Sequence, residues 1–215
     1  DVAVLRAAAN LQNDFMMVSG KRPELAHTPS GRRIVIAGSL KSEIIRSLVG
    51  KQLLDVTSLE GCNEKYQISF VKNPVEGVEE ALVIAGSDRR GAVYGIYELS
   101  EQIGVSPWYD WADVPVNKKQ NLSISKGTYT AGEPVVRYRG IFLNDEAPCL
   151  TGWVKHTYGT EYGDHRFYER VFELILRLRG NFIWPAMWGW AFYEDDPLNS
   201  RTADEMGIIV GTSHH

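Results

Sequence analysis

Apolar residues recur with two different periods in the first half of the chain. They fall at helical spacing in residues 2–19, 41–49 and 88–103, which predicts three helices, the last of them ending at Gly104. Shorter segments between these helices predict strands at Arg33–Ala37, Tyr66–Val71 and Ala81–Ala85. The first and third of these segments are continuous apolar runs, so we expect both strands to be buried. Strands that alternate with helices predict an α/β domain.

The pattern changes after the third helix. Residues 105–120 contain two prolines and a cluster of aromatic residues, and they predict irregular backbone. Residues 121–130 alternate weakly between apolar and polar, which predicts one more strand. The sequence Gly132-Glu-Pro134 is typical of a linker. We therefore expect a small N-terminal α/β domain at residues 1–133.

From residue 134 onward, strand, loop and helix repeat. Strands are predicted at 138–143, 181–184 and 208–211, and helices at 166–178 and 200–206. Ser200 is the expected N-cap of the second helix, and the stretch between the first strand and the first helix is expected to be a loop. This order predicts the first strands and helices of a TIM (β/α)8 barrel. A complete barrel has eight of each in about 250 residues, so we expect residues 134–215 to be an incomplete barrel from a longer protein.

Composition excludes several classes of function. Hydrophobic residues make up 44% of the chain and charged residues 23%, with a formal net charge of -4. Nucleic-acid binding needs a basic patch, so we expect no nucleic-acid partner. No apolar run approaches the roughly 18 residues of a membrane-spanning helix, so no membrane partner is expected. The start of the chain shows no signal peptide, which a processed secreted chain would also lack.

Cysteine usage does not indicate a metal centre. Cys62 and Cys149 lie far apart in the sequence and in no metal-binding spacing, and both a disulfide and two free thiols stay open. We therefore expect no metal bound by these two cysteines.

Aromatic residues are the unusual feature of the composition. The chain has 6 tryptophans and 10 tyrosines, and they cluster at residues 108–111 and 184–193. Such clusters fill cores in many proteins. Carbohydrate sites also use them, because the flat C–H face of a sugar ring stacks on an aromatic face.

In a TIM barrel, the active site lies at the carboxyl ends of the strands. These ends carry candidate substrate-binding or catalytic side chains on all three predicted strands: Asn144, Asp145, Glu146, Trp184, Trp188, His214 and His215. Carboxyl groups can transfer protons, aromatic rings can stack on sugars, and amide or imidazole groups can bind hydroxyl and carboxylate groups. This combination is typical of an enzyme that cleaves glycosidic bonds.

Each candidate also has a structural interpretation. Asp145 and Glu146 point to opposite sides of an extended backbone, so one of them can cap a loop or pair with Arg139. The tryptophans can belong to the core, and the two histidines can be metal ligands, although no third ligand stands at metal spacing. Residues 195–197, Asp-Asp-Pro, are more typical of a turn than of a substrate contact.

One further candidate lies in the N-terminal domain. The segment Gly86-Ser-Asp-Arg-Arg-Gly91 joins a strand to the start of a helix, where backbone N–H groups can bind an anion. Arg89 or Arg90 could then bind the carboxylate of a substrate. The alternative interpretation is a simple helix cap with solvated arginines.

Several of these segments resemble glycoside hydrolase family 115. The resemblance rests on Arg139-Gly-Ile-Phe-Leu-Asn-Asp-Glu146, Leu150-Thr-Gly-Trp153, Phe182-Ile-Trp-Pro-Ala-Met-Trp188, Asp195-Asp-Pro-Leu-Asn199 and Gly211-Thr-Ser-His-His215. The stretch from Gly86 to Tyr109 is similar to the N-terminal domain of the same family. The similarity covers nearly the whole chain and is strongest from residue 80 onward.

The resemblance implies a xylan α-1,2-glucuronidase. Members of the family remove glucuronic acid or its 4-O-methyl form from glucuronoxylan with inversion of configuration and without a cofactor. It implies supporting roles for Asp145 and Glu146 and places the main acid and base beyond residue 215, so this segment alone is expected to be inactive. A secreted, extracellular or periplasmic protein is expected, and a homodimer of the full-length protein stays open.

Two other functions remain open at this point. A non-catalytic carbohydrate-binding module could use the same aromatic clusters. A different barrel hydrolase could act on another acidic sugar or on a hexosaminide.

Overall fold

A computed structural model describes residues 1–144, 147–161, 163–185 and 189–211. The chain divides into two compact units, Asp1–Val135 and Val136–His215. Both units combine helices with a sheet, so the fold is mixed α/β. Within the described residues, no helix is both long enough and apolar enough to cross a membrane.

The first unit contains a four-stranded sheet and three helices. Its helices are α1 (Val2–Ser19), α2 (Glu43–Gly50) and α3 (Arg89–Ile103). Its strands are β1 (Arg33–Ser39), β2 (Tyr66–Lys72), β3 (Glu80–Gly86) and β4 (Thr128–Thr130). The strand order is β1-β3-β2-β4, with β1 parallel to β3 and β2 antiparallel to both of its neighbours.

The ends of the two long helices follow from their capping residues. Asp1 caps α1 by accepting a hydrogen bond from the backbone N–H of Ala3, and Asp88 caps α3 by accepting one from Gly91. Both helices end at glycines in the left-handed conformation, Gly20 and Gly104. The sequence prediction of these two helices is therefore confirmed.

Two strand predictions for this unit need correction. The prediction of a buried β1 holds for only one face of this edge strand: Ile36 packs in the core, while the other face is not fully covered. Val35 is accordingly exposed, whereas Val83 and Ile84 of the central strand β3 are fully buried. The strand expected at 121–130 contains only Thr128–Thr130, because the residues before it form irregular, largely exposed backbone.

The second unit contains a parallel sheet. Its strands are β5 (Gly140–Phe142), β6 (Phe182–Trp184) and β7 (Ile209–Val210), which lie side by side in chain order. Its helices are α4 (Cys149–Tyr158), α5 (His165–Arg177), α6 (Phe192–Asp195) and α7 (Leu198–Met206). Parallel neighbours joined through helices are the repeating unit of α/β proteins.

Two predictions for this unit were wrong. The stretch between β5 and α5 was expected to be a loop, but it contains α4, whose Val154 is buried and whose Trp153 lies against Phe167 of α5. Ser200 does not cap α7, since the helix already begins at Leu198. The carboxylate that accepts a hydrogen bond from the backbone N–H of Leu198 belongs to Asp196.

α5 supplies much of the core of the second unit. Its apolar residues recur at helical spacing, and the buried ones include Phe167, Tyr168, Val171, Phe172 and Ile175. Several of these rings pack in pairs, and the sheet contributes the fully buried Ile183.

Candidate functional site

The carboxyl ends of the three parallel strands lie side by side. The backbone N–H of Leu143, just after β5, donates to the carbonyl oxygen of Trp184 at 2.8 Å. The backbone N–H of Gly211, just after β7, donates to the carbonyl oxygen of Ile183 at 2.9 Å. The residues that follow the strands therefore leave the sheet along one edge.

Two of the predicted site residues can be located at this edge. Asn144 follows β5 and is exposed, and Trp184 is the last residue of β6, with 38% of its surface exposed. Their positions agree with a site that is open to a substrate. An amide can bind hydroxyl groups, and a partly exposed indole can stack on a sugar ring.

Phe142 extends the aromatic surface of Trp184, and sequence reasoning missed it. The two residues are register partners across the β5–β6 ladder, and their ring centroids lie 5.6 Å apart at an interplanar angle of 70°. Phe142 is 50% exposed. Residues two apart on an extended backbone share a face, and Asn144 follows Phe142 by two positions.

Close packing at the other end of β5 explains a glycine in the sequence. A Cβ atom at Gly140 would overlap the carbonyl oxygen of Phe182. Because glycine lacks this atom, β5 and β6 can approach closely where their ladder begins. The register that brings Phe142 opposite Trp184 starts from this pair.

Five predicted site residues lie outside the described residues: Asp145, Glu146, Trp188, His214 and His215. Their proposed roles stay predictions.

Asp196 has a structural role beside the edge of the sheet. Its Oδ2 atom accepts hydrogen bonds from the backbone N–H of His165 at 3.0 Å and pairs with the His165 Nδ1 atom at 2.7 Å, while its Oδ1 atom accepts from Leu198. Partial burial acts to raise the pKa of Asp196, but the donors on His165 and Leu198 outweigh it, so this pKa lies below its ordinary value. The carboxylate of Asp196 therefore stays ionised and links the starts of α5 and α7.

The arginines predicted in the first unit lie at the start of α3. Arg90 Nε lies 2.6 Å from Glu64 Oε1, and the side chain of Glu64 is only 7% exposed. The carboxylate of Asp88 already accepts hydrogen bonds from the backbone N–H groups of Gly91 and Glu64. A capped helix with a paired arginine fits these contacts, whereas substrate binding by Arg89 or Arg90 stays a prediction.

The described residues do not assemble a metal site: among them, no group of three or more His, Cys, Asp or Glu side chains lies close enough to hold an ion. Cys62 and Cys149 are both free thiols.

Comparison with known proteins relates the chain to one protein family and to solved structures. The sequence profile of glycosyl hydrolase family 115 matches residues 131–215. The solved structure of BtGH115A, a family GH115 4-O-methyl-α-glucuronidase with specificity for decorated arabinogalactans, is 33% identical, with a TM-score of 0.84 over 100% of this chain. The present chain spans 27% of that solved chain.

Other comparisons add no functional information. The structure of CpGH84D matches 99% of this chain and 39% of its own, at 10% identity and a TM-score of 0.42, which is too low to support a statement. No curated protein matches the chain. The family profile, together with the agreement with BtGH115A over the whole of the present chain, confirms the resemblance found in the sequence. The chain belongs to glycosyl hydrolase family 115.

Proposed function

We propose that this chain is the N-terminal part of a glycoside hydrolase that releases glucuronic acid or 4-O-methylglucuronic acid from the side chains of a plant polysaccharide. The observation that carries this proposal is the common edge of β5, β6 and β7. It presents an exposed amide and an aromatic pair within the residues that match the family. The 4-O-methyl-α-glucuronidase activity of BtGH115A supports the choice of bond.

The three parallel strands are, in this proposal, the first three strands of a TIM barrel. Residues 134–215 begin the barrel, and residues 1–133 form an accessory α/β domain. Ile183 points to the buried side of β6, while its neighbour Trp184 and the adjacent Phe142 lie on the opposite, more open face. In a closed barrel this second face would line the interior, and the strand ends would open into the active site.

Each site residue then has a specific role. Trp184, Trp188 and Asn144 contact the sugar, and His214 and His215 bind its hydroxyl or carboxylate groups. Asp145 and Glu146 support catalysis by orienting water or by binding the hydroxyl groups of the uronate. The main general acid and base are supplied by other residues of the enzyme.

The reaction is inverting hydrolysis. A protonated carboxyl group donates its proton to the departing glycosidic oxygen of the polysaccharide, and a carboxylate removes a proton from a water molecule on the opposite face of the uronic acid. This water attacks the anomeric carbon while the glycosidic bond breaks. Neither a metal nor an organic cofactor takes part in this scheme.

Two polysaccharides are candidates for the substrate. Glucuronoxylan follows from the sequence resemblance, and the enzyme would act on it as a secreted, extracellular or periplasmic protein. A decorated arabinogalactan is the second candidate, because it is the substrate class of BtGH115A.

The decisive experiment measures release of uronic acid from both polysaccharides. The complete gene product and the 215-residue segment are compared side by side, with 4-O-methylglucuronic acid quantified by chromatography. We expect release by the complete product alone, and the better polysaccharide identifies the substrate. Binding to either polysaccharide without release would instead indicate a carbohydrate-binding module, and release of N-acetylhexosamine alone would indicate another barrel hydrolase.

A further inference from the structure

We propose that Asp196, His165 and Asn199 are positioning residues that hold residues 189–197, which follow β6 in the chain, in the orientation required for substrate binding. We call these three residues the loop clamp. The inference deepens the proposed function and rests on it, because it concerns the loop that follows Trp184.

The clamp lies on the same side of the sheet as the candidate site. The end of α5 lies near the start of β5, since the backbone N–H of Asn181, just after the helix, donates to the carbonyl oxygen of Arg139 at 2.7 Å. α5 therefore runs opposite to the strands, and His165 at its beginning lies toward their carboxyl ends. Asp196 also follows the carboxyl end of β6 in the chain.

Asp196 gives the clamp its charged contact. One carboxylate accepts hydrogen bonds from His165 at the start of α5 and from Leu198 at the start of α7. Its side chain is 16% exposed, and that of His165 is 34% exposed, so solvent screens the pair only partly. Hydrogen bonds to an ionised acceptor are stronger than those between neutral groups.

Asn199 adds a buried contact between the segment after β6 and the segment before α5. It is fully buried, and its Nδ2 atom donates to the carbonyl oxygen of Phe192 at 3.0 Å and to that of Gly163 at 3.4 Å. Gly163 lies just before α5, and Phe192 begins α6. One amide therefore joins the loop after β6 to the segment before α5.

Packing of Phe192 makes this attachment specific. Its ring contacts Tyr168 of α5 edge to face, with ring centroids 4.7 Å apart. Asp195 stabilises the same short helix by accepting a hydrogen bond from the backbone N–H of Ala191 at 2.8 Å. The segment 195–199, of which residues 195–197 are predicted from the sequence to form a turn, thus holds the end of this stretch through several side chains.

The clamp does not touch the proposed sugar-binding atoms of Trp184 or Asn144 in any contact described above. Its effect on the reaction is indirect: without the clamp, residues 189–197 would no longer be fixed beside the strand that ends at Trp184. Small displacements of substrate-positioning groups can reduce rates by up to about a hundredfold. The main effect should fall on KM, because Trp184 is proposed to bind the sugar and not to transfer protons.

The test compares His165→Ala, His165→Asn and the matched control His156→Asn in the complete gene product. The asparagine at 165 keeps a hydrogen-bond donor near the position of Nδ1, whereas alanine removes it. His156 is an exposed histidine on α4. Hydrogen exchange of the backbone amides in 189–197 and the kinetics of uronic acid release are measured for each protein.

We expect His165→Ala to speed exchange in 189–197 and to raise KM about tenfold, with a smaller loss of kcat. His165→Asn should stay close to the wild type in both exchange and KM, because it keeps a hydrogen-bond donor. His156→Asn should match the wild type. Unchanged exchange in His165→Ala, or a loss that His165→Asn does not restore, would overturn the proposal. If His165→Ala does not fold, Asp196→Asn replaces it, and unchanged exchange in that variant overturns the proposal in the same way.

The failure of the proposed function would look different. A wild-type enzyme that releases no uronic acid from either polysaccharide disproves that function, while the exchange measurement still decides whether the clamp holds the loop.

Discussion

The central strand of the first sheet and the first strand of the second sheet have similar apolar sequences but very different surroundings. β3 has a neighbour on each side, and its Val83, Ile84 and Ala85 are fully buried. β5 has one neighbour within the described sheet, and its Ile141 and Phe142 are exposed. Local hydrophobicity alone therefore does not determine how deeply a strand is buried.

Matched alanine substitutions would test this difference most directly. We expect Ile84→Ala to lower the free energy of unfolding of the chain by about 2–5 kcal/mol, because it leaves a cavity in a closed core. Ile141→Ala should cost less than about 1 kcal/mol, since this side chain already contacts solvent. Chemical denaturation of the 215-residue chain measures both values. Equal losses would show that β5 is as well covered as β3 and would break the comparison.

Charged side chains form close contacts in both units. In the first unit, Arg90 pairs with the nearly buried Glu64, whereas the loop clamp of the second unit combines ionised and neutral groups. Arg90→Ala would leave the carboxylate of Glu64 without this partner, at an expected cost of about 1–3 kcal/mol. Thermal unfolding of the chain measures that loss, and the double variant Arg90→Ala/Glu64→Gln should recover part of it.

Kinetics of the same variant separate a structural role from substrate binding. If Arg90 is only structural, KM for uronic acid release by the complete gene product should not change at temperatures where the variant stays folded. A rise in KM together with unchanged stability would support the earlier prediction that Arg90 binds the substrate carboxylate.

Signals from neighbouring residues made α3 easier to predict than α4. Asp88 and Gly104 mark the ends of α3 within a few residues of the pattern that predicts it. α4 was missed because Gly152 lies within it and Pro148 directly before it, and both residues are more typical of loops. Its stability comes from packing against α5, which is not evident from local sequence.

The candidate site shows the same limit. The strand-end rule identified Asn144 and Trp184 from the sequence, because it needs only the order of strands and helices. The pairing of Phe142 with Trp184 depends on the register between β5 and β6, whose paired residues lie 42 positions apart in the sequence. The contacts of Asp196 with His165 likewise join residues that lie 31 positions apart. Contacts of this kind follow from the folded backbone and not from a motif.

Substitution of Trp184 should separate activity from stability in the second unit. Because Trp184 is partly exposed, Trp184→Ala should lower the free energy of unfolding by less than about 2 kcal/mol. We expect KM for the polysaccharide to rise about tenfold, since stacking on an aromatic ring contributes roughly 1–2 kcal/mol. Trp184→Phe should retain part of the affinity, and Phe142→Ala should show a smaller effect of the same sign. Unchanged KM in both alanine variants would remove the aromatic pair from the site.

The smallest expected effect is a pH dependence of hydrogen exchange. It would show which region of the chain depends on an ionised carboxylate. The folded-state pKa of Asp196 lies below its ordinary value, so its contribution is fully present above the unfolded-state pKa and is lost as the pH falls through the folded-state pKa. We therefore expect hydrogen exchange in 189–197 to accelerate, relative to β3, when the pH falls below about 4. Asp196→Asn should abolish this acid-dependent step and leave faster exchange at neutral pH. The exposed-carboxylate control Asp113→Asn should retain the wild-type profile, and an acid step that survives in Asp196→Asn would assign it to another group.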